Sequence, residues 1–99
     1  MPADASPSPA IYRVMTDLGG TLGERKVMLD YLRRAVIEVQ IVGTCASACE
    51  WFETLPKDQI CFWPNAWIGR HTHNGEADDT IAWRRGRDAI AAGFRECRR

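Results

Sequence analysis

The spacing of apolar residues changes several times along the chain. Residues 11–16 are β-branched and aromatic, and they predict a strand that ends in a tight loop at Gly19 and Gly20. Residues 21–35 carry apolar side chains at steps of three and four, which predicts an amphipathic helix. The apolar side chains of that helix are Leu22, Val27, Met28, Tyr31, Leu32 and Ala35.

The helix boundary and the next strand have their own signals. Thr21 begins a Thr-x-x-Glu sequence, the spacing of a capping box at a helix start. Residues 36–43 predict a second strand, in which Ile37, Val39 and Ile41 share one face under two-residue alternation.

The second half of the chain continues with further helices and strands. Small residues at 44–49 lead into a short helix that Pro56 ends. Residues 59–63 and 66–73 predict two more strands, and residues 78–95 predict a final helix. The apolar side of that last helix is Ile81, Ala82, Ala89, Ile90 and Phe94. Alternating strands and helices predict an α/β fold, a small parallel sheet with helices packed on it.

Length and composition bound the domain organisation. Apart from Met1, residues 1–10 contain no large apolar side chain, so we expect a disordered N-terminal segment, with residues 11–99 forming a single domain. Hydrophobic residues make up 45% of the 99 residues, which is enough for a core. A domain of this size is only marginally stable, and cross-links would help it.

The four cysteines are an even number in a short chain. Cys45, Cys49, Cys61 and Cys97 predict two disulfides in an oxidising compartment, and buried thiols or metal ligands in a reducing one. Three pairings are open, and we favour a bridge from the Cys45/Cys49 pair to Cys61 or Cys97. The expected location is periplasmic or secreted, with a signal peptide that is not part of this sequence. A cytoplasmic protein is the alternative.

Charge and hydropathy limit the partners. The formal net charge is zero, so neither nucleic acid nor an anionic membrane surface is an expected partner. No run of about 18 apolar residues exists to span a membrane. We expect no cofactor and no metal, because a zinc site from Cys45, Cys49, His71 and His73 would lack a recognised ligand spacing.

Candidate chemistry falls at the carboxyl ends of predicted strands, where parallel α/β sheets gather functional groups. Gly19 and Gly20 follow the first strand, Ser47 follows the second, and His71 lies near the end of the fourth. A serine at a helix start has backbone amides beside it that can hold an oxyanion, and a histidine in reach can act as its base. Taken alone, each of these residues also has a purely structural explanation. Ser47 can be a helix N-cap, His71 a structural histidine, and Gly19 and Gly20 part of a turn.

Three segments in order resemble one family. Residues 17–20 (Asp-Leu-Gly-Gly) are similar to the Ser-Pro-Gly-Gly loop of the Clp peptidases. Residues 43–48 (Gly-Thr-Cys-Ala-Ser-Ala) resemble their Gly-x-Ala-Ala-Ser-Met segment, and residues 64–71 (Pro-Asn-Ala-Trp-Ile-Gly-Arg-His) resemble their Pro-Asn-x-x-Ile-x-x-His stretch. Together the motifs cover roughly residues 11–73. The chain therefore resembles the Clp peptidase/crotonase superfamily, and most of all its small exported members with a Cys-x-Ser-Ala-Cys motif.

The resemblance implies a serine peptidase or hydrolase acting on a peptide or acyl substrate. Ser47 would be the nucleophile and His71 the base, while the backbone around Gly19, Gly20 and Ala48 would form the oxyanion hole. His73 shares the predicted strand face of His71 and is the alternative base.

The chain also departs from the family pattern. The family takes its catalytic acid from a long segment after the histidine, and no residue here matches it. Asp78, Asp79 and Asp88 are candidates by position alone. The helix that builds the Clp double ring has no counterpart, so that barrel is not expected.

Two hypotheses about function therefore stay open. One is a Clp-like serine hydrolase of low activity, and the other is a catalytically degenerate, disulfide-stapled binding or assembly module. A homo-oligomer is one candidate partner, because so short a chain has reason to bury surface against a copy of itself, and that copy could supply missing groups. The four tryptophans are expected in the core or on such a partner surface.

Overall fold

A computed structural model describes residues 10–72 and 80–98 and shows a small mixed α/β domain with a curled, mostly parallel sheet. The strands are β1 (Ile11–Asp17), β2 (Glu38–Ala46), β3 (Ile60–Phe62), β4 (Trp67–Thr72), β5 (Thr80–Arg85) and β6 (Arg95–Glu96). The helices are α1 (Leu22–Arg34), α2 (Ala48–Phe52) and α3 (Gly86–Ala91), with a 3-10 turn at Lys57–Gln59.

Strand β2 organises the sheet because it is paired along both edges. β1 runs parallel to it along one edge, and β3 and β4 share the other edge one after the other. β3 pairs with the first half of β2 through Val39 and Ile60, and β4 pairs with its end through Thr44 and Trp67. This change of partner curls the sheet. β6 then extends it in parallel beyond β3, and β5 adds an antiparallel edge strand beyond β4.

The core lies on the face of β2 that carries Val39, Ile41 and Cys45, all fully buried. Neighbouring strands and helices add Val14, Leu29, Leu32, Phe52, Ile60, Phe62 and Ile68 to the same cluster. Burying one such side chain is worth about 1.5–3 kcal/mol, so this cluster is the main source of stability.

Helix α1 forms where the sequence predicts it, but it is rotated about its axis. Its cap is confirmed, since Thr21 Oγ1 accepts from the Glu24 amide at 3.3 Å. The predicted apolar face is wrong at Val27 and Tyr31, which are 73% and 62% exposed. Leu32 of the predicted face is buried as expected, but its buried neighbours are Leu29 and Arg25, whose ion pair with β1 is a tertiary contact.

The predicted helix over residues 78–95 is wrong. Residues 80–85 form β5, which pairs antiparallel with β4, and a helix begins only at Gly86. A Cβ at Gly86 would lie 1.9 Å from the carbonyl oxygen of Trp63, so close backbone approach selects glycine there. The Gly86 amide donates to the Ala66 carbonyl at 2.8 Å, and this contact sets the start of α3.

The N-terminal boundary is described only from Ala10 onward. The Ala10 carbonyl accepts a hydrogen bond from the Glu38 amide at 3.0 Å, so the pairing of β1 with β2 extends to Ala10. The predicted disorder of residues 1–9 lies outside the described residues.

Two disulfides are present, which confirms the prediction from the cysteine count. The favoured pairing is wrong: Cys45 is bonded to Cys49, and Cys61 to Cys97. The pairing of β6 with β3 carries Cys97 to Cys61, with the Cys97 amide donating to the Phe62 carbonyl at 3.0 Å. Cys49 lies at the start of α2 and reaches back to Cys45 near the end of β2.

The Cys61–Cys97 bridge should be a main support of global stability. It closes a sequence separation of 36 residues, for which denatured-state entropy predicts about 4 kcal/mol. We expect Cys61→Ala/Cys97→Ala to lower the free energy of unfolding in urea by roughly that amount. Cys45→Ala/Cys49→Ala, with a separation of 4, should cost only about 2 kcal/mol. Equal losses in the two variants would contradict this ranking.

An ion pair ties the start of β2 to the C-terminal strand. Arg95 donates to Glu38 Oε1 at 2.6 Å, and this hydrogen bond is the main cause that lowers the pKa of Glu38. The pair thus stabilises the fold above the ordinary pKa of glutamate, and the contribution is lost as pH falls through the lowered value.

We expect Glu38→Gln to flatten the fall of stability on acidification below about pH 4.5. The loss at neutral pH should stay within about 1 kcal/mol, because both side chains are partly exposed. Urea unfolding at several pH values measures both effects. Arg95→Ala should remove most of the same pH-dependent part, because Gln40 and Arg13 also lower the pKa of Glu38. Adding Arg95→Ala to Glu38→Gln should not change the pH dependence further.

Candidate functional site

Ser47 occupies a strained turn between β2 and α2. Its φ of 62° and ψ of −54° lie near the positive-φ γ-turn, a geometry of about +75° and −65° that is rare and strained. The Ser47 amide donates to the Gly69 carbonyl of β4 at 2.9 Å. The residue is therefore held in this conformation by the neighbouring strand, and strained backbone of this kind concentrates at functional sites.

The Ser47 hydroxyl is hydrogen-bonded to Nε2 of His71. The two residues are 24 positions apart in sequence, and they meet because β2 and β4 are parallel neighbours. His71 lies two residues beyond Gly69, the residue that anchors the Ser47 amide. This places an imidazole nitrogen against a serine hydroxyl, the contact that a nucleophile and its base require.

The glycine loop after β1 lies next to Ser47. Gly19 has a φ of +113°, and a Cβ built on it would be 3.7 Å from Ser47 Cβ. Its amide donates to Asp17 Oδ1 at 3.0 Å. Gly20 is further along the loop, toward the side chains of Glu24 and Arg25. Gly19 thus lies beside Ser47, although its amide is engaged within its own loop.

Arg25 holds this loop in place, a role that the sequence analysis missed. Its guanidinium forms an ion pair with Asp17 and donates to the Gly19 carbonyl at 3.1 Å. It also lies 5.5 Å from the centre of the Phe52 ring in α2. The Asp17–x–Gly19 spacing is a recognisable turn signal. The partner in α1 is not, because a single arginine on a helix usually faces solvent.

Charged contacts also fix the far end of α2. The Glu53 side chain, 9% exposed, accepts from Arg84 of β5 and lies 3.5 Å from the Arg70 guanidinium of β4. Arg70 Nε lies 3.8 Å from Glu50 Oε1 as well. Helix α2 is therefore tied to the strand that carries His71. Sequence offered no signal for these pairs, whose partners are 17 to 31 residues apart.

An aromatic cleft lies on the sheet face opposite α2. Thr44, Trp67 and Trp83 line a shallow cavity of about 270 Å³. The two indoles are 44% and 48% exposed and meet edge to face at 6.5 Å. A Cβ at Gly69 would lie 3.0 Å from the Trp83 ring, so this glycine leaves room for the indole beside the site.

The remaining candidate residues take other positions. Asp88 Oδ2 accepts from the Arg85 amide at 2.8 Å and caps α3. Asp78, Asp79 and His73 lie outside the described residues. The bond between Cys45 and Cys49 removes both sulfurs as zinc ligands in this state. Within residues 10–72 and 80–98, no group of three or more His, Cys, Asp or Glu side chains could hold a metal ion.

No protein family model, curated protein or solved structure matches the chain. The helices in the described part of the chain are all too short or too polar to cross a membrane.

Two substitutions at Ser47 can separate backbone strain from side-chain chemistry. Ser47→Ala and Ser47→Gly both remove the hydroxyl, but only glycine adopts a positive φ without strain. Relief of strain of about 1–3 kcal/mol outweighs the added freedom of glycine in the unfolded chain, about 0.4–1 kcal/mol. We expect Ser47→Gly to be more stable than Ser47→Ala by about 1 kcal/mol in urea unfolding. The reverse order would show that this turn is unstrained.

Proposed function

We propose that this protein is a serine hydrolase of the Clp/crotonase type that acts on peptide or acyl substrates. One observation carries the proposal: the Ser47 hydroxyl is hydrogen-bonded to His71 Nε2 at a strained strand-to-helix turn. Serine on such a turn is presented to a substrate, and the histidine can take its proton.

The reaction follows from these positions. Ser47 Oγ attacks the substrate carbonyl carbon while its proton moves to His71 Nε2. The carbonyl electrons move to the oxygen, which the Ala48 amide, next to the nucleophile along the chain, and the Gly20 amide stabilise. Gly19, without a side chain, lets the substrate approach. His71 then protonates the leaving group, and water attacking the acyl-enzyme releases the acid and restores Ser47.

The convergence of three separate motifs supports the family assignment. The glycine loop, the Ser47 turn and the His71 strand are apart in sequence and adjacent in space. A mostly parallel sheet with strand ends at one edge is also what the resemblance implies. Modest turnover is part of the proposal, since Ser47 and His71 are both partly exposed and water weakens interactions with developing charge.

We further propose a periplasmic or secreted location. Two disulfides in so short a chain suit an oxidising compartment, because thiols are kept reduced in most cytosolic proteins.

Labelling with a fluorophosphonate probe tests the hydrolase proposal. Intact-mass spectrometry should show one adduct, and peptide mapping should place it on Ser47. Ser6 and Ser8 are the other serines of the chain and report ordinary hydroxyl reactivity. We expect Ser47→Ala to abolish the adduct and His71→Gln to slow its formation by roughly 100-fold or more. No adduct on folded wild-type protein would refute the proposal.

The second candidate function is a binding or assembly module. The exposed indoles of Trp67 and Trp83 favour it, because aromatic side chains are enriched at protein interfaces. If the folded protein does not react with the probe, sedimentation of the wild type and of Trp67→Ala/Trp83→Ala decides whether these residues mediate self-association. A monomer in both cases would count against assembly through this face.

A further inference from the structure

We propose that the Cys45–Cys49 disulfide positions the Ser47 hydroxyl, holding the reactive turn in its strained conformation. The inference rests on the proposed function for its catalytic consequence, but its structural part can be tested separately. The two cysteines are positioning residues, because neither is placed to contact substrate.

The disulfide encloses the strained residue. Only Ala46, Ser47 and Ala48 lie between the bonded cysteines, and Ser47 at the centre has positive φ. Both cysteines are fully buried in the core cluster. The bond therefore joins the two ends of the turn across the interior side, leaving the Ser47 hydroxyl directed to His71.

One end of this cross-link is fixed by the sheet. Cys45 is paired with Asp17 of β1 on one side and with Ile68 of β4 on the other. A strand residue bonded to neighbours on both edges moves little, so Cys45 provides a rigid anchor.

The other end needs such an anchor. Cys49 is the second residue of α2, which has five residues and no side-chain hydrogen bond at its N-cap. A helix this short does not repay its nucleation cost and depends on tertiary contacts. Phe52 in the core and Glu53 with its arginines hold the far end of α2, and the disulfide holds the end next to Ser47.

Loss of the bond should therefore affect the turn more than the fold. With the near end of α2 released, Ser47 can relax toward negative φ, which redirects its amide away from Gly69 and its hydroxyl away from His71. The other bridge, Cys61–Cys97, links β3 to the C-terminal segment and closes a much longer loop. Its removal should lower global stability and leave the turn unchanged.

The test compares the two double variants, Cys45→Ala/Cys49→Ala and Cys61→Ala/Cys97→Ala, under conditions where both are folded by circular dichroism. Amide hydrogen exchange of Ser47, whose amide donates to Gly69, reports the turn without any catalysis. Fluorophosphonate labelling reports reactivity. Cys45→Val/Cys49→Ala refills part of the space left by the sulfurs and separates loss of the cross-link from loss of packing.

We expect Cys45→Ala/Cys49→Ala and Cys45→Val/Cys49→Ala to lose protection of the Ser47 amide from hydrogen exchange. Both should react with the fluorophosphonate at least about 10-fold more slowly, since misplacement of about 1 Å can slow a reaction roughly 100-fold. The Cys61/Cys97 variant should be less stable yet label within about 3-fold of the wild type.

Unchanged Ser47 protection in the Cys45/Cys49 variants would overturn the inference, as would equal slowing in both disulfide variants. A wild-type protein that never labels refutes the proposed function instead, and the exchange measurement then decides the positioning role alone.

Discussion

The pairing of β2 along both edges is the constraint on which the rest of this structure depends. Because β3 pairs with its first half and β4 with its end, one strand aligns the core and the site together. Its inward residues Val39, Ile41 and Cys45 form the centre of the core. The last residues of β2, which pair with β4, place Ser47 beside the strand that carries His71. Stability and candidate chemistry thus share one element.

A domain this small has a small free energy of folding, so a strained residue must be stabilised by other contacts. At Ser47 the cost is met by several contacts that converge on the turn: the bond to the Gly69 carbonyl, the Cys45–Cys49 disulfide and the charged pairs of Glu53. The glycine loop opposite is held in the same way, by Asp17 and Arg25. Each contact spans two elements, so the site exists only in the folded domain.

The two faces of the sheet around this site differ in character. Toward α2, Arg70 and Arg84 of adjacent strands meet Glu53. Toward the other face, Trp67 and Trp83 are half exposed and meet edge to face. Strand alternation produces this difference, because successive side chains point to opposite sides. The aromatic side is an exposed apolar surface on the strand that also carries His71.

Sequence by itself determined β1, α1 and its Thr21 cap, the short strands through β4, and the candidates Ser47 and His71, because these depend on local periodicity, turn chemistry and motifs. It did not determine which side of α1 is buried or which cysteines pair. It also led to a helix where β5 forms. Those outcomes depend on contacts between distant residues: Arg25 with Asp17, Gly86 against Trp63, and Cys61 with Cys97. The Ser47–His71 contact is of the same kind, since only the parallel pairing of β2 and β4 brings a hydroxyl and an imidazole together.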